Sequence, residues 1–355
     1  MYNLNSEILI FLSNIEPDSI YKTQASEAQN ELRNYLKQSE KFKEHYLDSF
    51  LSGSYKRGTA IKEIKDVDII VILNEPATLL KPQSNIKEIY NKLKEVLKEK
   101  FDIKNIEQQQ RSIKLTWEFD NKQDAEIRKE ALTIDIVPAI RSSVNSNYML
   151  WIPDKNLETW IKTNPLGHSD KVTEKNNEST NINGRNAFIP MVKTLKFWKG
   201  EYYKIPKKPK GFLLESILYN SWDDTSTSWF ECIISVFQSI LNKYEAYKFV
   251  SSDSEVDFIK DIGLEGEFIR TSTTIKEFSS FISKIQETLD KLAEAKNAKT
   301  KYDAIEKLRE IFGKEYFPEP KETDKNIKET PTETESISIT RGSNKNPEAK
   351  PYGQS

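Results

Sequence analysis

Two aspartates with a single residue between them, at the mouth of an apolar run, are the first chemistry in this chain. Residues 53 to 73 read GSYKRGTAIKEIKDVDIIVIL: Gly53-Ser54, eleven intervening residues, then Asp66-Val67-Asp68 leading into β-branched, continuously apolar sequence. Side chains at i and i+2 of a strand point to one side, so a strand starting here projects Asp66 and Asp68 together. Two like charges held at the edge of an apolar strand are costly unless a cation neutralises them. Hard oxygen donors favour Mg²⁺ or Mn²⁺, and Mg²⁺ is commonly held by one or two carboxylates plus substrate phosphates. Gly53 lets backbone come close to a triphosphate, to which the Ser54 hydroxyl and amide can donate. Lys56 and Arg57, in the following turn, would offset phosphate charge.

A second metal needs a third carboxylate near the attacking hydroxyl. Asp135 supplies it, in the middle of LTIDIVP, residues 132 to 138. A lone acid inside a strand can also be a turn acid read out of register. Here Ile134, Ile136 and Val137 make the strand firm.

The elements that must position these acids follow from periodicity. Ile8, Leu9 and Leu12 repeat at helix spacing, and Pro17 opens a longer helical pattern through Ala25, Ala28, Leu32 and Leu36. A short apolar segment at residues 49–52 ends at Gly53. Residues 67–73 read as a strand buried on both faces. Ser84 can cap a helix with apolar positions Ile86, Ile89, Tyr90, Leu93, Val96 and Leu97. Strand-like segments at 113–119 and 132–137 flank DNKQDAEIRKE, read as a hairpin tip. Residues 165–185 are polar and read as a long loop. Helical patterns then cover 187–200, 212–221, 228–245, 274–296 and 300–313. From residue 318 the chain holds five of its 14 prolines, 13 charged residues and one aromatic, Tyr352. That composition predicts disorder: either a solvated tail or a peptide offered to a partner. The expected class is α+β, with a strand-rich lobe over 1–150, a helical lobe over 151–317 and a tail over 318–355.

Composition narrows the function. In 355 residues, 53 Lys and Arg meet 55 Asp and Glu, a net charge of −2. This disfavours coating of nucleic acid or anionic membrane through bulk charge. A single Cys, Cys232, excludes an internal disulfide and suits a reducing compartment. It sits in an apolar helical run and reads as core. His45 and His168 stand far apart, and neither is given a catalytic role. No apolar run approaches the roughly 20 residues of a membrane span, and the N-terminus lacks a basic region and a cleavage site, so a cytoplasmic location is expected. Residues 193 to 210 hold seven lysines and one acid, Glu201. They are either a face for several triphosphates or an ordinary solvated helix and loop.

Gly-Ser, a spacer, Asp-x-Asp on a strand and a later strand Asp together resemble the DNA polymerase β-type nucleotidyltransferases, whose fold joins a mixed-sheet lobe to a helical one. A helical segment before Gly53, the Val-Pro after Asp135-Ile136, the stretch from Met191 to Trp198 (MVKTLKFW) and that from Gly211 to Glu215 (GFLLE) extend the likeness. Over roughly residues 5 to 315 the chain resembles the branch with 2′-5′ oligoadenylate synthases, cyclic GMP-AMP synthase and bacterial cyclic oligonucleotide synthases of anti-phage systems.

The resemblance implies that Asp66, Asp68 and Asp135 hold two Mg²⁺ or Mn²⁺ ions, with Asp135 nearest the attacking ribose hydroxyl. Gly53 and Ser54 would hold the donor triphosphate. Lys196 would contact phosphate, and Phe212 would stack on a base, with the helical lobe closing the nucleotide cleft. Where the family often has Ser or Gln before that aromatic, this chain has Gly211; a backbone amide or Lys210 would substitute. The expected reaction is attack on the α-phosphate of an NTP, releasing pyrophosphate and making a cyclic di- or trinucleotide messenger from ATP and other NTPs. Expected partners are an effector that senses the product and a protein that engages the C-terminal tail, with no membrane or stable nucleic-acid partner. Template-independent RNA nucleotidyl transfer (CCA-adding-like or oligoadenylate-forming), transfer to a protein or drug, and a non-catalytic binding module are the competing readings.

Overall fold

The computed structural model describes every residue except Met1, Glu63, Lys65, 75–83, 120–130, 142–148, Leu157, 202–207, Asp224, Thr225 and 328–355. The insert DNKQDAEIRKE lies outside the described residues. The chain divides into two compact units, Pro17–Lys171 and the combination of Met1–Glu16 with Val172–Ser355.

The unit Pro17–Lys171 is built on a mixed sheet. Its strands are β1 (Tyr46–Ser52), β2 (Asp66–Leu73), β3 (Ile106–Gln108), β4 (Ile113–Glu118), β5 (Ala131–Arg141), β6 (Leu150–Asp154) and β7 (Thr159–Thr163). The spatial order is β1-β2-β5-β4-β3, with β6 pairing β5 and β7 pairing β6. Among the described residues only β2 and β5 run parallel; the other pairs are antiparallel. A parallel pair needs a crossover. Here α4 (Ser84–Lys98) together with β3 and β4 intervenes between the two strands.

β2 is apolar on both sides because both sides are covered. Val67, Ile69, Val71 and Leu73 join Ile134, Ile136, Ile113 and Leu115 in the main core. That core takes Ala25, Ala28, Leu32 and Leu36 from α2 (Ser19–Gln38), and Ile86, Tyr90, Leu93, Val96 and Leu97 from α4. On the opposite face Ile70, Ile72, Ala139 and Leu150 form a smaller cluster with Phe50, Val137 and Ile152.

Four expectations require correction. Strands β6 and β7 carry the sheet past residue 150, and the sheet unit ends at 171. Residues 165–178 are a helix, α5 (Pro165–Glu178), where the polar composition suggested a loop. Its start is written in Asn164-Pro165: the Asn164 side chain accepts from the Gly167 amide at 2.8 Å, and proline suits the first helical position. Only a few of its residues are buried, Val172 and His168 among them, so apolar periodicity is too sparse to show it.

The first helix, α1 (Asn5–Asn14), belongs to the helical unit and not to the sheet unit. Phe11 packs against Phe197, Phe312 and Phe317 with ring centroids 5.6, 4.9 and 5.6 Å away. Asn14 Nδ2 donates to the Tyr316 carbonyl at 2.8 Å, and Lys301 pairs with Glu7 at 2.8 Å. A lobe of residues 1–150 carrying both N-terminal helices is therefore split, with α2 on the sheet and α1 among the later helices.

Those helices follow the periodicity closely: α6 (Phe188–Glu201), α7 (Gly211–Ser221), α8 (Trp229–Tyr244), α9 (Ile275–Lys296) and α10 (Lys301–Phe312). Ser228, Thr274 and Thr300 cap α8, α9 and α10, and Thr274 with Glu277 forms a capping box. Cys232 is buried, as expected of a core residue. The order also persists past residue 318. A 3₁₀ turn at Glu322–Asn326 is fixed by the Asp324 carboxylate, which accepts from the Lys321 amide at 2.7 Å, and the Ile327 carbonyl accepts from the Lys301 amide at 3.2 Å. The disordered tail read from composition thus does not begin at 318; residues 328–355 lie outside the described residues. Among the described residues no helix is long and apolar enough to cross a membrane.

Phe11→Ala should cost about 3–5 kcal/mol. Hydrogen exchange should quicken in α6 and α10 while β2 and β5 keep their protection.

Candidate active site

The site is set by the parallel pairing of β2 with β5. In that ladder Asp68 stands opposite Asp135, and Asp66 opposite Thr133. Adjacent strands lie about 4.8 Å apart, and residues in register share a face. Val67, Ile69, Ile134 and Ile136 face the core, so Asp66, Asp68 and Asp135 emerge together on the other side. Asp66 is exposed; Asp68 and Asp135 are half-buried. The same row continues sideways, with Ser52 opposite Asp68, Lys114 opposite Asp135 and Glu107 opposite Lys114. All three acids picked from the sequence are thus brought to one place.

Gly53 completes the row. It has φ +70°, and a Cβ built on it would lie 1.7 Å from Asp68 Oδ2. A side chain there would push the Asp68 carboxylate aside, and the left-handed backbone disfavours one independently. The glycine therefore puts backbone directly against the Asp68 carboxylate. β1 passes without a break into α3 (Gly53–Lys56), and the Thr59 amide donates to the Ser54 carbonyl at 3.0 Å, closing the turn. Ser54 and Lys56 are half-buried beside it, while Arg57 is buried at 7 % exposure.

Sequence reasoning missed Ser112, the residue before β4, which is buried and donates its hydroxyl to Asp135 Oδ1 at 3.3 Å. Nothing in the sequence marks it, because the contact exists only once β4 lies beside β5.

The donor chemistry fits a hard divalent cation. The row offers carboxylate oxygens and neither imidazole nor thiolate. Among the described residues no three acidic, His or Cys side chains close into a cage. An open row of this kind suits Mg²⁺, which keeps several positions for phosphate and water.

The helical unit holds the other candidates. Lys196 forms a buried ion pair with Glu215, which is fully buried on α7. A Cβ at Gly211 would sit 3.3 Å from Lys196 Cε, so the lysine stem lies over the first turn of α7. Phe212, the next residue, is 40 % exposed. The lysine-rich stretch is less open than its composition suggested. Lys193 is buried and pairs with Glu16 at 3.3 Å, with Arg185 on the same carboxylate; Lys208 pairs with Glu277 at 3.5 Å. Burial pushes the Lys199 ammonium pKa down. Burial alone would push the Glu16 carboxyl up, but Lys193 and Arg185 outweigh it and hold it below the ordinary carboxylate range.

The model of the Second Messenger Oligonucleotide or Dinucleotide Synthetase domain matches residues 3–176, which span all three acids. The chain carries that synthetase domain. It is 29 % identical over 321 residues to a cyclic AMP-AMP-AMP synthase of an Acinetobacter species, covering 87 % of this chain and 84 % of that one. It is 23 % identical over 362 residues to a cyclic AMP-AMP-GMP synthase of Enterobacter hormaechei, covering 89 % and 93 %. Its fold matches that of CdnC from E. coli MS115-1, solved with ATP, at a TM-score of 0.64 over 88 % of this chain and 98 % of that one, with 16 % identity. The synthase fold is the α+β, polymerase β-like nucleotidyltransferase fold.

Gly53→Ala in this synthase should displace the Asp68 carboxylate and cost about 1–2 kcal/mol of backbone strain, read as nucleotide turnover cut by about 100-fold or more with only a modest fall in Tm. Glu16→Gln should lower stability at neutral pH. A depressed carboxylate contributes stability that is lost as pH falls through its folded-state pKa. Urea melts of the parent and variant should therefore draw together below pH 4.5, the ordinary value for this group.

Proposed function

We propose that the acid row of β2 and β5 transfers nucleotides from NTPs to a ribose hydroxyl and closes the product into a cyclic di- or trinucleotide. The observation that carries this reading is the register that sets Asp68 against Asp135 with Asp66 on the same face. In each transfer the hydroxyl loses its proton, its oxygen bonds to the α-phosphorus, and the bond to pyrophosphate breaks. Asp66 and Asp68 face the triphosphate, and Asp135 faces the hydroxyl. When bound, two Mg²⁺ or Mn²⁺ ions supply a lower hydroxyl pKa and neutralise the leaving group. Gly53 and Ser54 hold the donor phosphates, aided by Lys56 and Arg57. Exposed Phe212 stacks on a base, and Lys196, steered by Glu215, reaches phosphate.

A trinucleotide containing adenosine is the favoured product, since the relatives named for their products make AMP-AMP-AMP and AMP-AMP-GMP rings. The net charge of −2 speaks against a long RNA track. A cytoplasmic role in anti-phage signalling goes with this reading, as do an effector for the product and a protein partner for the C-terminal segment.

The test is incubation with labelled ATP, GTP, CTP and UTP and Mg²⁺ or Mn²⁺ in the absence of RNA, followed by phosphatase treatment and mass detection. A phosphatase-resistant cyclic product is expected. Asp66→Ala, Asp68→Ala and Asp135→Ala should each reduce it by about 100-fold or more while keeping the parent's melting temperature within a few degrees. Full turnover in any of these three variants overturns the assignment of that acid. Product only when RNA is added would move the reaction to template-independent RNA tailing.

A further inference from the structure

Behind the acid row lies a buried polar cluster that the transfer reaction does not use. Asp154, the last residue of β6, is fully buried. Gln110 Nε2 donates to both its oxygens at 3.1 and 3.0 Å, Arg111 Nε donates at 2.8 Å and the Asn156 amide at 3.0 Å. A carboxylate taken out of water requires such partners, so it fixes whatever carries them. Both side-chain donors sit on one turn, residues 109–112. The turn is closed by the Gln109 amide donating to the Ser112 carbonyl at 2.9 Å and tied to β6 by the Lys155 amide donating to the Gln110 carbonyl at 2.9 Å. Tyr90 adds a hydroxyl donated toward the Gln110 carbonyl at 3.4 Å and the Pro153 carbonyl at 3.3 Å.

That turn delivers Ser112. Its Oγ lies 3.3 Å from Asp135 Oδ1 and 3.2 Å from Gln109 Oε1. The hydroxyl has one proton, and the charged acceptor makes the stronger bond. Turning the Gln109 amide over would let it donate into the same oxygen. Asp135 needs such a hold. In register it has the like charge of Asp68 on one side and the Lys114 side chain on the other. Lys114 is engaged by Glu107 at 3.3 Å, but both groups are partly exposed and can exchange partners. An unrestrained Asp135 would swing from Asp68 toward Lys114.

We propose that Ser112 is a positioning residue for Asp135, and that buried Asp154, through Gln110 and Arg111, fixes the turn that presents it. This rests on Asp135 taking part in the reaction.

The experiment uses the full chain with Ser112→Ala, Ser112→Thr, Asp154→Asn and the Ala/Asn double variant. Two quantities are read: turnover, and Mn²⁺ affinity measured by electron paramagnetic resonance with a non-hydrolysable ATP analogue. Partners that hold a metal-binding side chain contribute about 10–100-fold. Ser112→Ala should therefore lose about tenfold in turnover and bind Mn²⁺ several-fold more weakly, with KM for ATP unchanged. Ser112→Thr should restore both. Asp154→Asn should move both the same way, and the double variant should lose little more than the worse single one. If Asp154→Asn does not fold, Arg111→Gln reads the same arm. Wild-type turnover and Mn²⁺ affinity in Ser112→Ala overturn the proposal, and additive losses in the double variant overturn the Asp154 arm. Asp135→Ala separates the layers. An active Asp135→Ala protein removes the catalytic reading itself, whereas an inactive one beside a normal Ser112→Ala protein removes only the positioning role.

Discussion

The proposed chemistry depends on one strand pairing. β2 and β5 are the only parallel neighbours among the described residues, and their register puts Asp68 beside Asp135. Strand side chains alternate with a period of two, so a slip of one residue would send one aspartate into the core and an isoleucine out. The apolar alternation that buries Val67, Ile69, Ile134 and Ile136 is therefore also what forces like charges together. Repulsion between the acids opposes the register; burial of the isoleucines and valines holds it. The site stores that opposition, which in the proposed reaction a bound cation would relieve.

Around the pair, the same carboxylates are held from two directions by unlike means. Gly53 admits Asp68 by having no side chain, since the carboxylate lies where a Cβ would stand. Ser112 confines Asp135 by a hydrogen bond. In the helical unit the cations are restrained too. Lys193, Lys196 and Lys208 each already face a carboxylate, so their charge is directed by Glu16, Glu215 and Glu277 and does not form a loose basic surface.

Much of this was legible in the sequence. The acids, the glycine and the five later helices follow from local rules: period-two alternation, β-branching, and Ser or Thr caps. What was not legible depended on long-range contact or on sparse burial. α5 buries too few apolar residues to show a helical period, and its Asn-Pro start was the one local signal. β6 and β7 are short and carry Trp151, Pro153 and Trp160, which do not resemble the valine-isoleucine runs of β2. The lysine stretch read as open because its partners, Glu16 and Glu277, lie far away in sequence. Ser112 has no signature in its own neighbourhood at all. Order past residue 318 rests on Asp324 and on the amide of Lys301, while the surrounding composition is that of a solvated chain.

The division of the chain has a consequence for its biosynthesis. The helical unit needs residues from before Pro17 and from after Lys171, whereas the sheet unit is one continuous segment. Domains generally fold as units, N-terminal first, as the ribosome delivers them. The sheet unit can complete itself while the second half is still being made. α1 cannot, because the aromatic partners of Phe11 are Phe197, Phe312 and Phe317. α1 is therefore made before its aromatic partners and packed only after them, and until Phe317 emerges it is an apolar segment in need of protection.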